Sequence, residues 1–505
     1  MIIACTFLRF WRWVETIVFI EVIIMKGQCF NPYLPSWEYI PDGEPHVFDG
    51  RVYIFGSHDR FGGHVYCPND YVCWSAPVDD LSGWRYEGVI YGRTDDPANQ
   101  DGDMLLFAPD VTRGPDGRYY LYYILDQLPV VSVAVCDTPA GRYQFYGYVR
   151  YSDGAKLGEA PGDEPQFDPA VLEEDGIIYL YTGFCPPTDA SRRGPMVTVL
   201  GPDMLTVQCA PVIIMPSAPH ADGTGFAQHP FFEASSIRKI NGIYYFIYST
   251  IYNHELCYAT SRSPLGPFTY GGIIVSNSDM GIDTYKPDWQ PMFYGGNNHG
   301  SIEKIGDQWY IFYHRHTNGT NFSRQGCMEP IRILPDQTIP QVELTSCGGN
   351  GGPLSGSGEY PAHIACNLYC QHIACTTGKP GDWMDCRFPR ITQDAPDGNQ
   401  GFAHIANMRD GAAAGFKYFK CKGVCRISVK VRGNAGTYQV KTQWDGAVIG
   451  EIPVGHSNEW KTFGADISLP DGVNALYFSY CGQGISNLAS FTLDVSDDQE
   501  RRTQT

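Results

Sequence analysis

Residues 48–57, FDGRVYIFGS, contain a turn followed by a run of strand-forming residues, and this signature returns four more times along the chain. The further copies are GPDGRYYLYY at 114–123, EEDGIIYLYT at 173–182, KINGIYYFIY at 239–248 and KIGDQWYIFY at 304–313. Their equivalent tyrosines are 67, 59, 66 and 65 residues apart, which leaves room for four short strands in each repeat. A four-stranded unit repeated around an axis is a propeller blade, so we predict an all-β chain with a five-bladed β-propeller.

A polar side chain precedes every copy at nearly the same offset. Counted back from the equivalent tyrosines, it lies 11, 10, 11, 12 and 11 residues upstream, at Asp42, Asp110, Asp168, Glu233 and His299. The first strand of each blade lines the central channel, so these side chains are predicted to point towards one axis. Carboxylates gathered in apolar surroundings repel one another, which does not serve stability. We therefore interpret the five positions as a functional site.

Converging carboxylates indicate either metal-assisted hydrolysis or cleavage of a glycosidic bond. The sequence lacks the dense ligand spacing of a metal loop, and the single imidazole of His299 does not make a catalytic metal site. In an inverting glycosidase, one carboxylic acid protonates the leaving oxygen while a carboxylate on the other face activates water. Blades one and four lie nearly opposite, so Asp42 and Glu233 are the candidates to span the gap between them as general base and general acid. Phe232 is expected to raise the pKa of Glu233, and Asp168 to keep that acid protonated by repulsion and to orient the sugar.

At these residues the chain resembles glycoside hydrolase family 43, whose five-bladed propellers include β-xylosidases, α-L-arabinofuranosidases, arabinanases and galactosidases. The resemblance covers about residues 30–345 and rests on NPYLPSWEYIPD ending in Asp42, on the Phe-Asp-Pro motif of Asp168, on FFEASS around Glu233 and on GGNNHGSI around His299. It implies a base at Asp42, a pKa-modulating aspartate at Asp168 and an acid at Glu233. Asp110, Phe232 and His299 are the candidates for substrate binding around them. It requires no cofactor and allows a structural calcium ion in the central channel, near His299.

The start of the first blade departs from the family pattern, because Asp42 is followed by Gly43 rather than by proline. Glu44 is therefore a rival base, and Asp49 and Asp59 are weaker ones. The offset from the repeated hairpin favours Asp42.

Further substrate-binding candidates lie outside the five-fold set. Trp74, in CWSAP, is predicted either to stack on a sugar face or to pack inside its blade. His314, Arg315 and His316 alternate along one strand, so at least one of them faces away from the site, and His316 is the candidate for a sugar contact. Arg324 lies in a loop rich in Gly, Asn and Ser, where it is expected to bond sugar hydroxyls or to lie in solvent.

The length of 505 residues predicts two domains, since one core seldom serves more than about 250 to 300 residues. We place the catalytic propeller at 30–345, a Gly-rich linker at 346–361, a β-sandwich at 362–497 and a polar tail at 498–505. Residues 1–29 are expected to be a poorly ordered extension, and the first 24 are open to being non-native. The sandwich resembles family 6 carbohydrate-binding modules. It is expected either to bind sugar or only to pack on the propeller and shape one rim of its pocket.

Charge and cysteine content bear on partners and location. A net charge of -19 with scattered Lys and Arg opposes binding to nucleic acid or to a membrane surface. Seventeen cysteines, an odd number without a disulfide-like pattern, indicate reduced thiols. No small-residue cleavage site follows the apolar first 25 residues, so we expect a cytoplasmic protein, with secretion as the alternative.

The sequence therefore predicts an inverting exo-glycosidase that removes terminal α-L-arabinofuranosyl or β-D-xylosyl residues from plant-derived oligosaccharides. The alternatives are a family 43 galactosidase or galactofuranosidase and a non-catalytic sugar-binding propeller. Oligomeric state stays open.

Overall fold

The computed structural model describes residues 27–373 and 385–496, which fold almost entirely into β-strands. Most of the predicted N-terminal extension, residues 1–26, and the predicted polar tail lie outside the described residues. Among the described residues no helix is long and apolar enough to cross a membrane. The helical elements of the described part are 3₁₀-helices at Arg93–Asp95, Pro97–Asn99, Ala218–His220, Gly348–Asn350 and Ala362–Ile364.

Five antiparallel sheets of sequence-consecutive strands form the blades, which confirms the predicted propeller. The first blade contains β1 (Glu44–Phe48), β2 (Arg51–Phe55), β3 (Tyr71–Pro77) and β4 (Arg85–Tyr91). The second contains β5 (Leu106–Arg113), β6 (Tyr119–Leu125), β7 (Val131–Cys136) and β8 (Gln144–Tyr148). The third contains β9 (Ala170–Glu174), β10 (Ile177–Thr182), β11 (Met196–Leu200) and β12 (Val207–Ile213). The fourth contains β13 (Phe231–Ile240), β14 (Ile243–Thr250), β15 (Leu256–Ser261) and β16 (Thr269–Val275), and the fifth β17 (Ile302–Ile305), β18 (Gln308–His316) and β19 (Arg324–Ile331).

The repeated sequence signature forms the second strand of every blade, β2, β6, β10, β14 and β18. Its turn chemistry explains the hairpin, because the two-residue connection between β13 and β14 has φ of 51° at Asn241 and 79° at Gly242. Positive φ at both positions defines the turn whose twist matches antiparallel strands, and Asn-Gly adopts it at low cost.

The ring closes between the first and fifth blades. Gly43, just before β1, forms a parallel bridge with Gly300, just before β17. Between blades four and five, the Ser236 hydroxyl lies 2.6 Å from that of Ser301. The starts of the innermost strands therefore gather at one end of the channel, and the side chains before them share that end.

The C-terminal domain is a β-sandwich of two six-stranded sheets. One sheet has the order β20-β25-β30-β27-β28 with β22 beside β25, and the other has the order β23-β24-β31-β26-β29 with β21 beside β31. The strands are β20 (Leu354–Ser355), β21 (Gly358–Pro361), β22 (Asn367–Cys370), β23 (Arg390–Gln393), β24 (Ala403–Met408), β25 (Ala412–Cys421), β26 (Val424–Gly433), β27 (Gly436–Lys441), β28 (Gly450–Val454), β29 (Ser457–Ala465), β30 (Gly472–Cys481) and β31 (Ser486–Val495).

The segment 346–361 is not the linker that its glycines predict. It contributes β20, which runs parallel to β25, and β21, which pairs with β31. Tyr360 on β21 is buried in the sandwich core. Backbone hydrogen bonds and an aromatic anchor outweigh the flexibility of the glycines, so the segment belongs to the sandwich.

The sandwich packs firmly on the propeller. One hydrophobic cluster runs from blades four and five into both sheets of the sandwich. At the end of the channel where the innermost strands start, the Tyr39 hydroxyl donates to Gln393 Oε1 at 2.8 Å, and the Phe61 amide donates to Asp397 at 2.8 Å. These contacts agree with the alternative in which the sandwich packs on the propeller beside its pocket.

Lys417 of β25 is a buried cation at this interface, 3.4 Å from Asp279 Oδ2 and 3.0 Å from Glu343 Oε2. We expect Lys417→Met to lower the free energy of unfolding by about 3 kcal/mol, because it leaves the buried Asp279 charge without its cation. Urea unfolding followed by fluorescence measures the change. The exposed Lys422→Met is the matched control, with an expected change within about 0.5 kcal/mol. Equal stability of the two variants would contradict a role for Lys417 in holding the domains together.

Candidate active site

The backbone is unusual where the innermost strands of blades one to four begin. Asp42, Ala108, Asp168 and Ala234 have φ values of 56°, 24°, 43° and 69°. Side chains with a Cβ rarely adopt these angles, at a cost on the order of 1 kcal/mol or more each, and such residues cluster at functional sites. The strained backbone recurs at equivalent places in four blades. It therefore helps to set the direction of the side chains at this end of the channel.

Asp42 is a buried carboxylate held by a single cation. Its Oδ1 accepts a hydrogen bond from Arg324 Nη1 at 3.0 Å. The Asp42 amide donates to His314 Nδ1 at 3.3 Å, while His314 Nε2 lies 2.7 Å from the Asn297 carbonyl. This pattern makes His314 a neutral ring that donates from Nε2, and burial holds its pKa well below the ordinary value. Arg324 is therefore the positively charged partner of Asp42.

Arg324 is itself fixed by Asp59. Its Nε donates to Asp59 Oδ2 at 2.9 Å and its Nη2 to Asp59 Oδ1 at 3.0 Å, a two-pronged pairing that sets the plane of the guanidinium. The guanidinium lies over the Tyr66 ring, with its central carbon, Cζ, 4.9 Å from the ring centroid. Arg324 is 2% exposed, which contradicts the predicted position in solvent, while its sugar contact stays a prediction. It positions Asp42, and Asp59, considered only as a weak rival base, orients Arg324.

The surroundings of Glu233 differ from those of Asp42. It is half-buried at the start of β13, and burial together with the negative charge of Asp42 raises its pKa to about 8, although Arg324 opposes the rise. The preceding Phe232 packs against the Phe184 ring at 5.3 Å and the His254 ring at 5.5 Å. Glu233 is therefore protonated at neutral pH while Asp42 is paired with a cation.

Asp168 fixes the strand that presents Glu233. It is buried, and its Oδ2 accepts the backbone N–H of Ala234, the residue after Glu233, at 2.9 Å. Burial and the charges of Glu233 and Asp42 raise the pKa of Asp168 well above its ordinary value. Because repulsion between two carboxylates is mutual, Asp168 and Glu233 oppose each other's ionisation, and Asp168 also holds the backbone of the acid.

Two of the predicted carboxylates, Asp110 and Glu44, are bonded to other residues of the propeller. Asp110 is fully buried, with Oδ1 2.7 Å from His46 Nε2 and Oδ2 accepting the Val171 amide at 2.7 Å. Glu44 pairs with Arg238 at 3.1 Å, and burial followed by the charge of Asp110 raises its pKa. Both oxygens of Asp110 are therefore used in joining blades, which speaks against the predicted sugar contact, and Glu44 is engaged away from Arg324.

The other predicted residues have varied surroundings. Trp74 is 4% exposed and its Nε1 donates to Glu38 at 2.9 Å, so the structure favours packing over sugar stacking. Asp49 is exposed in the turn between β1 and β2, at the opposite end of the blade. His316 is buried, with Nε2 2.8 Å from Asn297 Oδ1. His299 is buried with Nδ1 3.7 Å from Asp168, and its sugar contact stays a prediction.

A carboxylate bonded to a buried arginine and a second carboxyl group with a raised pKa, at one end of a propeller channel, fit the acid/base chemistry of a glycoside hydrolase. The family follows from the sequence itself. The model of glycosyl hydrolases family 43 matches residues 41–339, and the chain belongs to that family. The predicted family and enzyme class are thus confirmed.

Relatives extend beyond the propeller. A xylosidase/arabinosidase from Thermoclostridium stercorarium is 66% identical over 470 residues, covering 93% of this chain and 99% of the relative. A crystal structure of an exo-β-1,3-galactanase from Phanerochaete chrysosporium with galactose matches 90% of this chain and 96% of its own, with a TM-score of 0.50 and 15% identity, and so shares the fold. A family 43 β-xylosidase/α-arabinofuranosidase from a compost microbial metagenome, crystallised with xylotriose in a calcium-free form, is 27% identical, with a TM-score of 0.49, over 63% of this chain and 98% of its own.

Proposed function

We propose that the protein is an inverting exo-glycosidase that removes terminal α-L-arabinofuranosyl or β-D-xylosyl residues, with Glu233 as general acid and Asp42 as general base. One observation supports the roles above all others. Asp42 is bonded to the buried cation of Arg324, whereas burial and the charge of Asp42 raise the pKa of Glu233 to about 8. The two carboxyl groups therefore have different surroundings, one bonded to a cation and the other with a raised pKa, as a base and an acid require.

The reaction then needs one displacement. Glu233 gives its proton to the glycosidic oxygen as the bond from that oxygen to the anomeric carbon breaks. Asp42 takes a proton from a water molecule whose oxygen attacks the anomeric carbon from the opposite face. The sugar leaves with inverted configuration, and solvent returns the proton from Asp42 to Glu233. Arg324 and Asp168 act through the positions of these two groups.

The pentosyl substrate is supported by the xylosidase/arabinosidase relative, which aligns with nearly the whole chain. We expect nitrophenyl α-L-arabinofuranoside or β-D-xyloside to be hydrolysed at least about tenfold faster than the galactofuranoside and galactopyranoside, because a pocket built for a pentose has no room for another carbon. Proton NMR of the first product is expected to show the anomer opposite to that of the substrate. A product that retains its configuration would sink the single-displacement mechanism.

We also propose that a structural calcium ion binds on the channel axis at His299. Its Nε2 is buried and has no hydrogen-bond partner among the described residues. Calcium prefers oxygen ligands, and His299 belongs to none of the clusters of three ligating side chains in the described part of the chain, so water molecules complete the shell. We expect calcium to raise the melting temperature of the EDTA-treated wild type by a few degrees, which corresponds to a stabilisation of about 1 kcal/mol. The melting temperature of His299→Ala is expected to stay unchanged. An equal response of both proteins would place any calcium elsewhere.

A further inference from the structure

A cavity of about 250 Å³ lies at the end of the propeller that contains Glu233. In an antiparallel blade, the segment before the first strand and the loop after the second strand lie at the same end. His229 precedes β13, Asn253 and Glu255 follow β14, and Trp289 precedes β17. All four line the cavity, so it opens on the face of the active site.

The cavity adjoins the acid side of the site. His254, between the two lining residues Asn253 and Glu255, packs its ring on Phe232 at 5.5 Å. Phe232 is the neighbour of Glu233 in β13. The oxygen that receives the proton of Glu233 belongs to the leaving group, so the sugars of the leaving group extend on this side.

The lining suits a neutral sugar. The Trp289 side chain is 67% exposed, an aromatic face of the kind that stacks on a sugar ring. No Lys or Arg occurs among the described residues that line the cavity, so an anionic ligand would find no counter-charge there. A broad apolar face without a cation favours an uncharged ring with hydroxyl groups.

Two hydrogen-bonding side chains, Glu255 and His229, line the cavity together with Trp289. Glu255 is 2% exposed, and its Oε1 lies 2.8 Å from His229 Nδ1, which donates to it. The His229 ring is stacked on Tyr270 with centroids 5.0 Å apart. Glu255 Oε2 is buried without a hydrogen-bond partner in the described residues. Burial alone would raise the pKa of Glu255, but hydrogen bonding from His229, from its own amide and from Thr250 holds it below its ordinary value, so the carboxylate is an acceptor for a sugar hydroxyl.

We propose that this cavity is a leaving-group subsite, in which Trp289 stacks on a neutral sugar unit of the oligosaccharide and Glu255 accepts one of its hydroxyls. The inference rests on the proposed function and deepens it, since it names the part of the substrate that the second contact recognises. A divalent metal ion is the competing occupant, because ligand atoms of His229, Glu255 and Cys257 lie within 4.8 Å of one another.

The test compares two substrates that share the terminal pentose. The first is the glycosyl fluoride of the pentose that the nitrophenyl panel selects, whose leaving group is a single atom. The second is xylotriose, or arabinofuranosyl-xylotriose if arabinose is preferred. Trp289→Ala is expected to raise KM for the oligosaccharide about three- to tenfold and to leave the kinetics of the fluoride unchanged. Tyr86→Ala, which removes a similarly exposed aromatic ring from blade one, is the matched control and is expected to change neither.

Three outcomes overturn the subsite. These are an equal loss on both substrates, an unchanged oligosaccharide KM in Trp289→Ala, and an oligosaccharide KM in the wild type that shifts with EDTA and returns with zinc. Failure of the proposed function looks different, because the wild type would then hydrolyse neither substrate.

Discussion

Glu233→Gln is expected to lower kcat/KM for oligosaccharides by about 10²- to 10⁴-fold, the usual share of a general acid, while hydrolysis of the pentosyl fluoride stays nearly intact. A sugar oxygen is a poor leaving group that needs the proton of Glu233, whereas fluoride departs with little help. Steady-state kinetics on both substrates measure the difference. The amide keeps the size of the side chain, so substrate binding measured by calorimetry is expected to persist.

The pH dependence gives the same prediction a second readout. Glu233 must be protonated to act, and its pKa is raised to about 8. The wild-type kcat/KM for oligosaccharides is therefore expected to be sustained below pH 8 and to fall as the pH rises through that value. The Gln variant has no proton to lose there and is expected to lack this limb.

Glu173→Gln is the matched control, because Glu173 is also a half-buried glutamate of an innermost strand but lies at the far end of β9, where its Oε1 accepts the Gly176 amide. It is expected to keep wild-type kinetics. An equal loss on fluoride and oligosaccharide in Glu233→Gln would refute the acid role, since it would show a need for the carboxylate that does not depend on the leaving group.

The repeated hairpin was enough to predict the propeller and the end at which its carboxylates gather, because strand period and turn chemistry are local properties. The variation in offset has a structural cause. The β13 ladder shifts register on both sides of Glu233, and the extra residue between Glu233 and Ser236 gives Glu233 its offset of 12. Asp110, with an offset of 10, lies within β5 rather than before it, and its carboxylate joins neighbouring blades. A single position therefore separates a residue of the pocket from one of the channel wall.

The support of Asp42 could not be predicted from the sequence in the same way. Arg324 and Asp59 are 265 residues apart, one at the start of β19 in blade five and the other in the loop after β2 in blade one, and their pairing depends on the closure of the ring. No local pattern indicates such a contact. The Gly-rich segment 346–361 misled for a related reason, because its glycines are local while the strands that pair with it, β25 and β31, come much later in the chain.

Asp42→Asn is expected to lower turnover of both the oligosaccharide and the fluoride by about 10⁴-fold, the upper end for a general base, since the attacking water needs activation whatever group departs. This joint loss distinguishes the base from the acid, whose replacement spares the fluoride. Initial rates on the two substrates, together with a melting curve that shows a folded variant, measure the effect.

The rival base provides the control. Glu44→Gln removes a carboxylate two residues away that is paired with Arg238 and has no contact with Arg324 among the described residues. We expect Glu44→Gln to keep the wild-type kinetics of its folded fraction on both substrates, at some cost in stability, because the partner of a buried cation is lost. If Glu44→Gln abolished turnover of the fluoride while Asp42→Asn retained it, the base would be Glu44. The position of Arg324 argues against that result, because its two hydrogen bonds to Asp59 direct the guanidinium at Asp42 and not at Glu44.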